Sequence, residues 1–311
     1  MQKTLFPQDN TVHLNQKAIR ITPLWALPLL SIAFLVIGQI SALLPLKYLG
    51  IISKENVDNY PHILYFIIGS FAMVSVLIVL WVRYYEKQTL ASVGLRFNAK
   101  TLSQYLSGLL LGLLFGTVIV YSIIFLGGYA LEQEIDVTLS DWTPVLVLLL
   151  AFMVQAGTEE LLFRGWLMNH LHSQYGVWVA VIGNSLLFTL FHIGSIDFET
   201  ATWTSAAIFL VMCLLLSIFL SFHAIKTASI WGACAFHASW NWIFINVFGL
   251  PTTGIDLDIK PIWRDYAPVA EAPVWLSGGV MGPEDTVVSL AVLLLACFWY
   301  MRKSMNKNQP E

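Results

Sequence analysis

The stretch VLVLLLAFMVQAGTEELLFRGW, Val145–Trp166, governs how the rest of the chain is read. Its first half is solidly apolar, as a membrane-spanning helix requires, but Glu159, Glu160 and Arg164 then interrupt the run. A charge at hydrocarbon depth costs about 2.5–3.5 kcal/mol on insertion scales, so such residues face a bundle interior or a wet cavity. Taken alone, Glu160 and Arg164 at i and i+4 read as an ordinary structural ion pair. Glu159 points about 100° away around the helix and is left free for other work.

Outward from this segment the chain is of one kind. Of its 311 residues, 57% are hydrophobic and only 11% charged, against about 25% charged in soluble domains. Apolar segments near the ~20 residues a bilayer core needs are Leu24–Leu44, Ile63–Val82, Tyr105–Leu126, Pro144–Leu167, Val177–Phe191, Ser205–Phe222, Ser229–Phe248 and Thr286–Met301. The expected fold is therefore all-α, a polytopic transmembrane bundle of about eight helices. A β-barrel is disfavoured because the segments do not alternate. Lys3, Lys17, Arg20, Arg83, Lys87, Arg96, Lys100, Lys226, Arg302, Lys303 and Lys307 fall on the side of the N-terminus, whereas Lys47, Lys54, Lys260 and Arg264 fall opposite. The positive-inside rule then puts both termini in the cytoplasm. The expected location is the inner (cytoplasmic) membrane, crossed several times.

Other classes lose support. The first span is too long for a signal-peptide core and has no evident cleavage site, so it reads as an anchor. Cys213, Cys234 and Cys297 lie in apolar spans without paired spacing and read as small core residues. Net charge is −3 with no basic stripe, so no nucleic-acid partner is expected. Arg83–Lys100 is amphipathic and basic, readable as an interfacial helix or as a plain loop. The connection Gly249–Asp285 is long, rich in proline, and placed to cover the bundle.

Two further spans carry His192 and His237. Glu159 and His192 are equidistant from the turn at Tyr175–Gly176, and residues so placed in an antiparallel hairpin sit at equal height. Helix axes packed ~8–10 Å apart leave a gap there for a water or a carbonyl. Phe188 and His192, like His237 and Asn241, are i, i+4 pairs on one face. A carboxylate in a low-dielectric site can take a proton from water. One imidazole can orient that water, and a second with an amide can donate to an oxyanion. Glu159, His192 and His237 are equally a zinc-type ligand set, so a divalent metal such as zinc and a metal-free mechanism both stand. No Ser, Cys or Asp pairs with these histidines as a nucleophile would.

At these residues the chain resembles the CPBP family of intramembrane proteases, the CAAX prenyl proteases and bacteriocin-processing proteins also called Abi. The family's EExxxR, FxxxH and HxxxN motifs stand here as Glu159–Arg164, Phe188–His192 and His237–Asn241, and SGGVMGPE, Ser277–Glu284, resembles a glycine-rich stretch before the last helix. Ile193-Gly194-Ser195 departs from the Asn that many members carry after the FxxxH histidine. The similarity runs from about Ser92 to Phe298. It implies that Glu159 activates water with His192, that His237 and Asn241 form the oxyanion site, and that Glu160, Arg164 and Phe188 support them. Family members are named metalloproteases, which keeps the metal question open. The implied organisation is a polar tail over 1–20, a transmembrane pair with the basic segment over 21–100, and the protease core over 101–303. The implied activity is that of an intramembrane endopeptidase, its partners the lipid bilayer and a hydrophobic peptide or membrane-protein substrate. A proton-coupled transporter and a catalytically idle binding or immunity partner are the competing readings.

Overall fold

The computed structural model describes residues 5–6, 20–53, 60, 62–196, 201–255, 257 and 259–305. Most of the polar tail, together with Lys54 and Lys307, lies outside them. The chain forms α1 (Ala26–Tyr48), α2 (His62–Leu80) extended by a π turn at Trp81–Tyr85, α3 (Thr101–Phe125) and α4 (Trp142–Glu160). A π-helical segment, Leu161–Leu167, carries α4 on without a break into α5 (Met168–Tyr175). There follow α6 (Val177–His192), α7 (Trp203–Thr227), α8 (Trp231–Phe248), the single turn α9 (Val274–Ser277) and α10 (Val287–Met305). Each of the eight expected spans is helical. The fourth is longer than expected, because the rod runs from Trp142 to Tyr175 before Gly176, at φ +83°, turns the chain into α6.

Six of these helical stretches among the described residues are long and apolar enough to cross a membrane, and α10 is a shorter apolar helix over Val287–Arg302. The protein is a multi-pass membrane bundle. In lipid every backbone polar group must be satisfied internally, which is why apolar runs of this length become helices. α8 is the central rod and is buried along almost its whole length, packing on α3, α4 and α7. α1 packs on α2, α2 on α4, α6 on α7, and α10 on α7.

The two faces of α3 show how sequence sorts lipid from protein. Leu102, Leu106, Leu110, Leu114 and Val118, four apart, are exposed and apolar, a stripe for acyl chains. Gly108, Gly112 and Gly116 occupy the opposite face and let α8 approach backbone to backbone. A Cβ on Gly108 would stand 2.1 Å from the Gly232 carbonyl oxygen, and one on Gly112 2.1 Å from Ser239 Oγ. Small residues of this kind replace hydrophobic drive in membrane helix packing. Gly112→Leu should therefore cost about 3 kcal/mol, the upper end for overpacking, and lower the thermal midpoint in detergent. Leu110→Ala on the lipid face should change it little.

Two features refine the sequence expectations. Arg83–Lys100 is not an interfacial helix. After the π turn it holds only a 3₁₀ turn, Leu90–Val93, and is threaded into the bundle end. Asn169 Nδ2 donates to the Ser92 carbonyl (3.0 Å) and Trp231 Nε1 to that of Arg96 (2.9 Å), so the loop binds α5 to the start of α8. The helical bundle also carries one short strand pair: β1 (Tyr129–Gln133) pairs antiparallel with β2 (Asp265–Pro268), tying the α3–α4 connection to the long loop after α8. Such a pair meets the backbone hydrogen-bonding needs of two loops at once.

Candidate functional site

No side chain from Thr158 to His170 is exposed, so the polar residues of the opening stretch all point into protein. The π segment begins directly after Glu160; π turns within α-helices are frequent at functional positions. Glu160 and Arg164, both fully buried, form an ion pair at 2.9 Å. Glu160 Oε1 also accepts from His237 Nδ1 at 2.9 Å, and the Arg164 guanidinium stacks 4.5 Å from the Phe188 ring centroid. Glu160 thus joins α4 to α8, and Arg164 joins it to α6.

Glu159 faces elsewhere, as its place on the helix requires. Its Oε1 accepts a hydrogen bond from Gln155 Nε2 at 2.7 Å. Its Oε2 has no hydrogen-bond partner in the protein and lies 3.9 Å from His192 Nε2 and 3.8 Å from His237 Nε2. The ring orientations follow from their other nitrogens. His192 Nδ1 is 2.8 Å from the Phe188 carbonyl oxygen, which only accepts, so Nδ1 bears the proton and the Nε2 lone pair faces Glu159. His237 Nδ1 likewise donates to Glu160. Asn241, one turn along α8 from His237, donates from Nδ2 to Gln155 Oε1 at 3.0 Å.

These groups line one cavity of about 260 Å³, walled by Phe66, Phe71, Phe152, Phe188, Phe209 and Met212 among others. Part of the wall is α2, held to α4 by Ser75 Oγ and Thr158 Oγ1 at 2.7 Å. α2 therefore contributes Ile63, Phe66, Ile67 and Phe71 to the cavity from outside the 101–303 segment. The only formal charges among the lining residues are acidic, Glu159 and Glu284.

The donor types suit zinc, but the spacing does not. Ligands 2.0–2.1 Å from a tetrahedral ion stand roughly 3.3 Å apart, less than the 3.8 and 3.9 Å separations here. Among the described residues no group of three or more His, Cys, Asp or Glu is arranged to hold a metal ion. A water about 2.8 Å from both Glu159 Oε2 and His192 Nε2 fits the same gap.

Three parts of this architecture were not read from sequence. Gln155 is one turn before Glu159 on the same face, a signal that was available. Glu284 closes the glycine-rich run Ser277–Glu284. It is buried, accepting from Trp240 Nε1 (2.8 Å), Thr252 Oγ1 (3.0 Å), Thr253 Oγ1 (2.7 Å) and the Thr253 amide, and so fastens the long loop over the cavity. The third is a separate buried cluster at the end of α2. Glu86 accepts from Thr22 Oγ1 (2.5 Å) and Trp166 Nε1 (3.0 Å) and pairs with His170 Nε2 at 2.9 Å. His170 is thus a buried partner of a carboxylate.

Residues 141–243, about a third of the chain, match the family model described as type II CAAX prenyl endopeptidase Rce1-like. That segment is similar to the type II CAAX prenyl endopeptidase family. No curated protein matches it. The matched segment contains Gln155, Glu159, Glu160, Arg164, His192, His237 and Asn241, whereas the α2 wall and Glu284 lie outside it.

Proposed function

We propose that the protein hydrolyses a peptide bond in a membrane-embedded or hydrophobic peptide, with Glu159 as general base. The observation that carries this reading is the unpartnered Oε2 of Glu159, set between two imidazole Nε2 atoms in a walled cavity. A water there donates one hydrogen to Glu159 Oε2 and the other to His192 Nε2, leaving a lone pair for the scissile carbonyl. Glu159 takes the proton as the carbon–oxygen bond forms and returns it to the leaving nitrogen. The free N–H of Asn241 donates to the oxyanion. His237, its Nδ1 held by Glu160, presents Nε2 to Glu159 Oε2. No step is routed through a metal, because the spacing favours water.

The aromatic walls favour an apolar side chain beside the cleaved bond. With Glu159 and Glu284 as the only acidic or basic side chains among the described lining residues, a substrate's free carboxylate is disfavoured there, which supports an internal cut. A leader peptide or a membrane protein meets these conditions, as does a lipidated peptide end. Both termini are assigned to the cytoplasm on the charge distribution. The test is a comparison of the membrane proteomes of cells expressing wild type or Glu159→Gln. A fragment with a new terminus made only by wild type supports the reading. Identical fragment sets from equally abundant proteins overturn it.

A further inference from the structure

Among the polar side chains that line the pocket without a role in the mechanism above, Gln155 bonds to two of the groups that the mechanism does use. Gln155 lies on α4, one turn before Glu159. Its Nε2 is 2.7 Å from Glu159 Oε1, and its Oε1 is 3.0 Å from Asn241 Nδ2 on α8. The orientation of these amides is fixed by chemistry. An ionised carboxylate only accepts hydrogen bonds, so the Gln155 nitrogen must face Glu159 and its oxygen must face Asn241. Asn241 must then present its nitrogen to Gln155, which leaves its second N–H for the cavity. One glutamine thereby decides two things: which carboxylate oxygen is occupied, and which end of the Asn241 amide is turned toward donation.

We infer that Gln155 is a positioning residue that holds the general base and the oxyanion donor in register across the α4–α8 interface. The inference rests on the proposed hydrolytic role of Glu159. By occupying Oε1, Gln155 leaves Oε2 as the basic atom facing His192 and His237. Without it, Glu159 is free to rotate about its side-chain bonds, and the Asn241 amide is free to flip and present an oxygen to the developing oxyanion. Displacements of this size cost on the order of 10²-fold when reacting groups are held near their productive geometry. Gln155 has no other hydrogen bond, so its packing is replaceable by an apolar side chain of equal length.

The experiment uses full-length protein in proteoliposomes with an internally quenched peptide library bearing apolar residues. Rates are normalised to monodisperse protein recovered in detergent, so a loss of folded material does not count as a loss of activity. Gln155→Met is expected to lower kcat by about 10–100-fold with KM within about threefold of wild type. The double variant Gln155→Met/Asn241→Ala is expected to fall no more than about threefold below Asn241→Ala alone, because both changes break one relay. Wild-type kcat in Gln155→Met, or full multiplication of the two losses, overturns the inference while Glu159→Gln remains inactive. Retained activity in Glu159→Gln itself overturns the proposed function instead.

Discussion

Arg164→Leu lowers the stability of the detergent-solubilised protein by about 3–5 kcal/mol, the range for removing one partner of a buried ion pair. Arg164 has no exposed surface, and its guanidinium is held between the Glu160 carboxylate and the Phe188 ring. Its loss leaves Glu160 buried with His237 as its remaining partner and Oε2 without any. The same change in Glu160→Gln/Arg164→Leu costs less, since neither charge is then stranded. Thermal midpoints of the three proteins decide the matter. Recovery of more than half of the loss in the double variant is expected. An Arg164→Leu midpoint equal to wild type would show that the pair is not the fixed element joining α4 to α6 and α8.

Glu159→Gln removes hydrolysis by about 10³–10⁴-fold, the upper part of the range for a general base, without a matching loss of fold. The change is isosteric, and the Gln155 bond to Oε1 survives with an amide oxygen in its place. What disappears is the proton acceptor facing His192. Because Glu159 and Glu160 are adjacent, Glu160→Gln is the informative contrast. It acts through the orientation of His237 and the charge balance of Arg164, and so affects stability as well as rate. A preserved midpoint with a lost rate at position 159, against a lowered midpoint at position 160, is the expected pattern.

Much of this architecture was legible because membranes impose few solutions. A solidly apolar run in lipid satisfies its backbone by coiling into a helix, so eight such runs became eight helices, and Glu159 and His192, equidistant from the Tyr175–Gly176 turn, are expected at one height. The i, i+4 spacing of Glu160 and Arg164 likewise led to their pair. What escaped depends on contacts far apart in sequence. Glu284 meets Thr252, Thr253 and Trp240 only once the long loop folds back over α8. Glu86 read as one acid in a basic loop, since nothing local shows that α2 ends against Trp166 and His170. Gln155 differs again. Its position on the helix was evident, but an uncharged amide in an apolar run carries no cost large enough to draw attention.

The central claim is that Glu159, His192 and His237 share one hydrated pocket set for water attack. An experimental map of the wild-type protein in a lipid nanodisc, resolved well enough to show ordered solvent, tests it most directly. A single density about 2.7–3.2 Å from both Glu159 Oε2 and His192 Nε2, inside a cavity closed by Phe71, Phe188 and Met212, is the expected result. A Glu159 side chain turned to lipid, or a density bound to all three groups at about 2.0–2.1 Å as zinc would be, would contradict it.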